Sequence, residues 1–313
     1  MTRADGNWVP PFALACPPRG TMSIMNIAST ATSAALPRGV RLDQDHGADA
    51  VFVETSAARA VLHLDGAHLT SWVPSGESDL LWLSPESEFG HGAAIRGGIP
   101  LIGPWFGPGR DGTRSVKHGW LRTSRWDLVS AQPDGDDIVL ELTSTKDTAT
   151  LTATAVFRIG AELSVDLTLT AGEEALELEA ALHTYLAVGD VRRIAIEGLE
   201  NAEYLDNTRG LAPDVLGDEP LRLAGSTDRI VDAHGEVTIV DETASRRLVS
   251  TPRGTAKTVV WNPWDALVTG MADLPDSSWP EFVCVEPAVA KDRFVSLAPG
   301  ASHTLGVTYR IEH

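Results

Sequence analysis

Three consecutive segments alternate apolar and polar residues almost without fault: DIVLELTST (137–145), ATLTATAVFRIG (149–160) and AELSVDLTLT (161–170). A period of two sends successive side chains to opposite faces of an extended chain, so each segment predicts a strand with one buried face. Turn signals separate them, at Pro133–Asp134–Gly135 and around Ile159–Gly160–Ala161. Shorter runs of the same kind start near residue 39: Leu42, Ala50 to Val53, Ala60 to Leu64, LDGAHLTSWVP (64–74) around an Asp-Gly turn, DLLWLSP (79–85) and WDLVSAQ (126–132). Beyond residue 190, VRRIAIEGL, NAEYLDN, RIVDAHGEVTIVD and SRRLVSTP keep the rhythm, and RFVSLAPGASHTLGVTYRIE closes with two more strands. Residues 211–232 are the least regular and are expected to hold a short helix or a long loop. No segment of helical period exceeds two turns, and no repeat of 20–50 residues is present. The pattern predicts one all-β domain, a sandwich or barrel, over residues 38–313. Residues 1–37 show no period and are expected to be a disordered or loosely attached arm. Met22 and Met25 raise a start further in, and a secretory signal is not expected because no basic stretch precedes a clean apolar one.

Two of these strands carry chemistry on an apolar frame. In ALELEAALHTYLAVGD (175–190) the alternation puts Leu176, Leu178, Ala180, Leu182 and Thr184 on one face, and Glu177, Glu179, Ala181, His183 and Tyr185 on the other. His183 is thereby expected on the polar face of a strand whose other face is core; a solvated, structural histidine is the plainer alternative. In EFVCVEPA (281–288), Phe282, Cys284 and Glu286 share a face opposite Val283 and Val285. Pro287 cannot donate to a ladder, so the strand is expected to fray or reach an edge at Glu286. A carboxylate ending an apolar strand is expected to be partly buried with a raised pKa, unless it is a surface residue before a turn.

Residues 95–126, IRGGIPLIGPWFGPGRDGTRSVKHGWLRTSRW, break the alternation. A chain of net charge −18 gathers here Arg96, Arg110, Arg114, Lys117, His118, Arg122 and Arg125. Glycines permit close backbone approach, prolines stiffen the loop, and cations with an imidazole supply donors to an anion. The acidic balance elsewhere argues against a nucleic-acid partner, since no other basic face is evident. No apolar run approaches the roughly 18 residues of a transmembrane helix. Cys16 and Cys284 stand far apart, which indicates neither a disulfide framework nor a cysteine metal site, and suggests a reducing, cytoplasmic setting. His63, His68 and His91 form no recognisable metal-ligand set, and no glycine loop ends in G-K-[ST]. Trp72 and Trp82 are expected in the core; Trp105 and Trp120 could stack on a sugar.

The succession R-G-G-I-P, P-W-F-G-P and K-H-G-W-L-R, continued by LHTYLAVGD (182–190), YLDN (204–207), VVWNPW (259–264), MADLP (271–275) and EFVCVEPA, resembles the hexose-6-phosphate mutarotases, or glucose-6-phosphate 1-epimerases. These are a branch of the aldose 1-epimerase (galactose mutarotase-like) superfamily, and the resemblance runs in order over residues 40–311. It implies a large antiparallel β-sandwich of the galactose mutarotase type and interconversion of hexose 6-phosphate anomers without a cofactor. It further implies a small phosphosugar as partner, no nucleic acid or membrane, and a monomer. Matched position by position, Glu286 corresponds to the general base and His183 to the general acid, expected on opposite sides of the sugar. His118 corresponds to an imidazole near the ring oxygen, Asp206 to a carboxylate on sugar hydroxyls, and Arg96 and Arg122 to the pair that holds the 6-phosphate. The family's usual H-G-F-A-R is H-G-W-L-R here, which leaves the pocket width beside Arg122 open; Arg110 and Arg114 receive no role. Two other readings stay open: an aldose 1-epimerase for neutral sugars, with Arg96 and Arg122 turned away, and a non-catalytic carbohydrate-binding protein, with His183 and Glu286 too far apart to act together.

Overall fold

A computed structural model describes residues 36–90, 92–146 and 149–313. The alternating segments form an eight-stranded antiparallel sheet ordered 194–197, 237–241, 246–253, 302–312, 163–171, 151–159, 137–144 and 126–134. Along 151–159 and 163–171 every second residue is buried, as the period requires. A second antiparallel sheet, which carries the site, runs 212–215, 203–206, 227–231, 257–262, 282–289, 180–182 and 101–102, with 185–187 also pairing to 282–289. Residues 40–74 add a four-stranded meander, and 176–178 with 295–297 make a small ribbon.

The two large sheets share one core. Leu140, Phe157 and Leu167 from the first meet Leu182, Val260, Val283 and Val285 from the second, with Leu62 and Trp72 of the meander in the same cluster. Full burial of side chains of this size is worth about 1.5–3 kcal/mol each, so the apolar stripes dictate which face of each strand turns inward. The opposite face of the site sheet then carries Ala181, Tyr185, Val259, Trp261, Cys284 and Glu286, in smaller clusters of its own or open to a cavity.

Three expectations change. Segment 79–85 forms only isolated bridges, at Leu81 and Leu83, because Asp79 spends its carboxylate on the backbone of Trp72 and Leu81 and bends the chain. Residues 211–232 contain the strands Ala212–Val215 and Thr227–Val231 rather than a helix. And Pro287 does not end its strand: Phe282–Val289 is a central strand, buried throughout. The Val285 N–H donates to the Thr184 carbonyl, so residue 287 turns its nitrogen to the same neighbour, opposite Leu182. The ladder is broken there, between 180–182 and 185–187, and the Leu182 carbonyl accepts instead from the Thr184 N–H at 2.8 Å. The proline's missing donor thus falls at a gap that needs none. The expected arm of residues 1–37 lies almost wholly outside the described residues.

Candidate active site

The gap beside Pro287 is also where the site forms. Pairings Ala181↔Ala288 and Tyr185↔Cys284 bracket it, so His183 faces Glu286 directly across the strands. His183 Nδ1 lies 3.4 Å from Glu286 Oε1. The imidazole stacks on Tyr185, with ring centres 5.0 Å apart, and the His183 N–H donates to the Pro100 carbonyl. Acid and base candidates therefore stand side by side, not on opposite sides of a sugar. The reason is register: cross-strand neighbours on one face are the closest side chains a sheet offers. The face expected to be polar is also buried, His183 to 9% exposure and Glu286 to 1%.

Burial decides the protonation of both. It pushes the Glu286 carboxyl well above the ordinary range, helped by Asp228 and opposed by Arg122. Burial, then the neighbouring His118, Arg122 and Arg96, pushes the His183 imidazole well below its ordinary value. Among the described residues Glu286 Oε2 has no hydrogen-bond partner, and the residue lines a cavity.

That cavity, about 340 Å³, is lined by the loop 95–126 as well as by the site sheet. The loop doubles back so that Gly103 accepts the Trp120 N–H, and at Gly119 (φ 64°) a Cβ would stand 1.9 Å from the Gly103 oxygen. Only glycine fits there, which is why K-H-G carries one. The close approach seats His118: its N–H donates to the Gly107 carbonyl at 2.8 Å, and the Gly107 N–H points at Nδ1 at 3.4 Å. Nδ1 as acceptor leaves the ring's proton on Nε2. Burial and then Arg122 lower the His118 pKa to about 3, so the ring is neutral.

The seven basic groups of the loop divide. Arg96, Lys117, His118 and Arg122 line the cavity. Arg110 pairs with Glu177, Arg114 lies over Trp105, and Arg125 pairs with Asp49. Arg96 is already engaged: Nε and Nη2 donate to Asp273, and Nη1 to the Tyr185 hydroxyl at 2.8 Å. Among the described residues Arg122 donates only to the Lys117 carbonyl, and its buried Nε has no partner.

Asp206 stands beside the cavity-lining Asn207. It caps the turn Asn207–Arg209, accepting from the Thr208 N–H and hydroxyl and from Arg209 Nε, and it is not among the cavity's lining residues. Burial acts against its ionisation, but those bonds outweigh it and hold the carboxyl below the ordinary range. The carboxylate that lines the cavity is Asp228, on the neighbouring strand, which accepts from Asn207 Nδ2 at 2.7 Å. Sequence reasoning missed Asp228 because it sits in the segment taken as irregular; its alternation with the cavity-lining Ile230 was the available signal. Lys291, just beyond EFVCVEPA, also lines the cavity and was missed.

Of the tryptophans, Trp72 and Trp82 are core as expected, Trp105 donates to the Val116 carbonyl, and Trp261 stands edge-on to His183 at 6.0 Å. Cys284, for which the sequence indicated neither a disulfide nor a metal site, brings its sulfur within 4.8 Å of donor atoms of His183 and Glu286. Burial and then Glu286 push that thiol well above its ordinary pKa, so it is protonated.

Residues 50–310 match the family model described as aldose 1-epimerase. A protein of Escherichia coli K12, provisionally named glucose-6-phosphate 1-epimerase, is 36% identical over 252 residues, 78% of this chain and 84% of its own length. A Cenchrus ciliaris protein of the same provisional name is 30% identical over 260 residues, 77% and 78% of the two chains. The crystal structure of a Salmonella typhimurium protein described as a mutarotase superposes with a TM-score of 0.82 at 29% identity, covering 88% of this chain and 95% of that one.

Proposed function

The chain belongs to the aldose 1-epimerase family, and on that premise we propose that it interconverts the α and β anomers of hexose 6-phosphates, glucose 6-phosphate foremost, as a cytoplasmic monomer. One observation carries the reading: the adjacent His183–Glu286 pair lies in a cavity that four cationic side chains, Arg96, Lys117, Arg122 and Lys291, also line.

The reaction needs one acid and one base at neighbouring oxygens. O1 and the ring oxygen are both bonded to C1, so a side-by-side pair reaches both from one side of the anomeric carbon. Glu286 takes the O1 proton, His183 gives a proton to the ring oxygen, and the C1–O5 bond breaks to leave an aldehyde and a free O5 hydroxyl. Rotation about C1–C2 presents the other carbonyl face. His183 then recovers its proton from the O5 hydroxyl, Glu286 returns its proton to the carbonyl oxygen, and the ring closes with the pair as it began. Throughout, the pair holds a single proton. In the free site burial favours that proton on Glu286, and nearby cations keep it off His183. A bound phosphate dianion offsets those cations and shifts the proton toward His183, which readies the acid. His118, neutral with its proton on Nε2, offers a hydrogen bond to the sugar; Asp228 and Asn207 offer partners for sugar hydroxyls.

The neutral-sugar reading required Arg96 and Arg122 to turn away, and the binding-protein reading required His183 and Glu286 to stand apart; the lining and the 3.4 Å separation weigh against both. The test is relaxation of freshly dissolved α-glucose 6-phosphate, followed by NMR exchange against a buffer blank, with free glucose in parallel and His183→Asn as control. Acceleration of the phosphosugar, lost in the variant, is the expected result. Acceleration of free glucose alone would overturn the phosphate assignment, and sugar binding without acceleration would overturn catalysis.

A further inference from the structure

The cationic groups around the cavity are not equivalent. Arg96 is neutralised by two bonds to Asp273. Lys291 is different: among the described residues its Nζ makes no hydrogen bond or close ion pair, and it lies 5.7 Å from the Phe106 ring centre. Its turn is otherwise fully paired, Asp292 with Lys257 at 3.0 Å and Arg293 with Asp232 at 3.2 Å. In a chain with 43 acidic residues against 25 lysines and arginines, this ammonium is left without an ion pair at contact distance among the described residues, while Asp228, across the same cavity lining, feels its charge.

The backbone shows how. Lys291 adopts φ 59°, a left-handed conformation that costs a side-chain-bearing residue of order 1–3 kcal/mol unless its surroundings impose it. The imposing group is Glu179, 1% exposed, whose Oε1 accepts the Lys291 N–H at 2.8 Å. Its Oε2 accepts the Phe106 N–H at 3.1 Å, at the base of the loop that seats His118. One buried carboxylate thus fixes both the lysine turn and the Phe106–Gly107 segment beside it. A carboxylate buried this deeply for two backbone donors is an expensive way to hold a turn that had no further task.

We infer that Lys291, locked by Glu179, is the residue that selects for a phosphorylated sugar, its ammonium meeting the phosphate in the cavity that Arg122 also lines. This rests on the phosphosugar reading above. Glu179 is a positioning residue that touches no substrate.

The test is Lys291→Met, which keeps an unbranched stem and the same backbone requirement, beside Lys291→Arg and Glu179→Gln. Anomerisation of α-glucose 6-phosphate and inhibition by inorganic phosphate are measured at several ionic strengths. Removing a charge-assisted contact of this kind raises KM and the phosphate inhibition constant of Lys291→Met about tenfold, with kcat little changed. The salt dependence of KM flattens, and Lys291→Arg restores most of the loss. Glu179→Gln raises KM in the same direction and adds a fall in kcat through His118. Unchanged KM and unchanged phosphate inhibition in Lys291→Met, with wild type active on the phosphosugar, would overturn the inference alone. If wild type does not act on the phosphosugar, inorganic phosphate binding by calorimetry decides separately: weaker binding in Lys291→Met sustains the role of Lys291 while the substrate assignment falls, and equal binding overturns both.

Discussion

Replacing Glu286 by Gln is expected to do two opposite things at once. The amide keeps the shape and cannot take a proton from O1, so catalysed anomerisation falls by about 10²–10⁴, the usual worth of a positioned base. Stability moves the other way. The Glu286 carboxyl is buried, one of its oxygens has no partner among the described residues, and its pKa is raised in the folded state. A raised carboxyl pKa means that the unfolded chain ionises more readily than the folded one. The penalty is absent below the ordinary glutamate value of 4.5, grows as pH rises, and levels off above the folded pKa. At pH 7 it cannot exceed about 3 kcal/mol, the gap between 7 and the ordinary value taken at about 1.4 kcal/mol per pH unit. The glutamine variant escapes it entirely. Its amide can also donate to His183 Nδ1, now 3.4 Å from the carboxylate. We expect a gain of about 1–3 kcal/mol at pH 7, seen as a Tm rise of about 2–4 °C per kcal/mol for a chain of this size. The gain shrinks toward zero as pH approaches 4.5. Calorimetric melts across pH 5–8, paired with anomerisation rates over the buffer blank, measure both. A variant that melts lower than wild type at pH 7 while losing less than tenfold in rate would refute the electrostatic account of this site.

Four further outcomes follow from the same geometry. The one-proton pair predicts a bell-shaped kcat/KM, lost in acid when the pair takes a second proton and lost in alkali when Glu286 releases the last one. Asp228→Asn removes a charge that raises the Glu286 pKa, so the alkaline limb moves to lower pH in a kcat/KM profile; no movement would disconnect the two carboxyls. Gly119→Ala places a Cβ against the Gly103 oxygen and should cost more than about 3 kcal/mol by denaturant melts, whereas Gly135→Ala, with a similar φ of 63° and open space, should cost about 1 kcal/mol. Asp206→Asn disturbs a turn and not the cavity, so it lowers Tm modestly and leaves KM within about twofold, the opposite of a sugar-binding carboxylate.

Period-two alternation was enough to establish an all-β chain and the faces of its strands. Val283 and Val285 do turn to the core and Glu286 away from it, because burying an apolar stripe is a local demand that each strand states in its own residues. The glycine of K-H-G and the clustering of cations in 95–126 were legible for the same reason: backbone freedom and charge are properties of single residues. What depended on strands distant in sequence was not legible. Register alone put His183 beside Glu286 rather than across a substrate from it. A gap in the neighbouring strand let Pro287 sit mid-sheet. Capping geometry bound Asp206 into a turn, while pairing of 227–231 with 257–262 brought Asp228 to the cavity. Which arginine is already neutralised and which lysine is left without a close ion pair among the described residues were likewise decided by partners, Asp273 and Glu179, that lie on other segments. Side-chain direction follows from local period, but the charge a side chain feels, and so its chemistry, is a sum over neighbours that only the folded chain assembles.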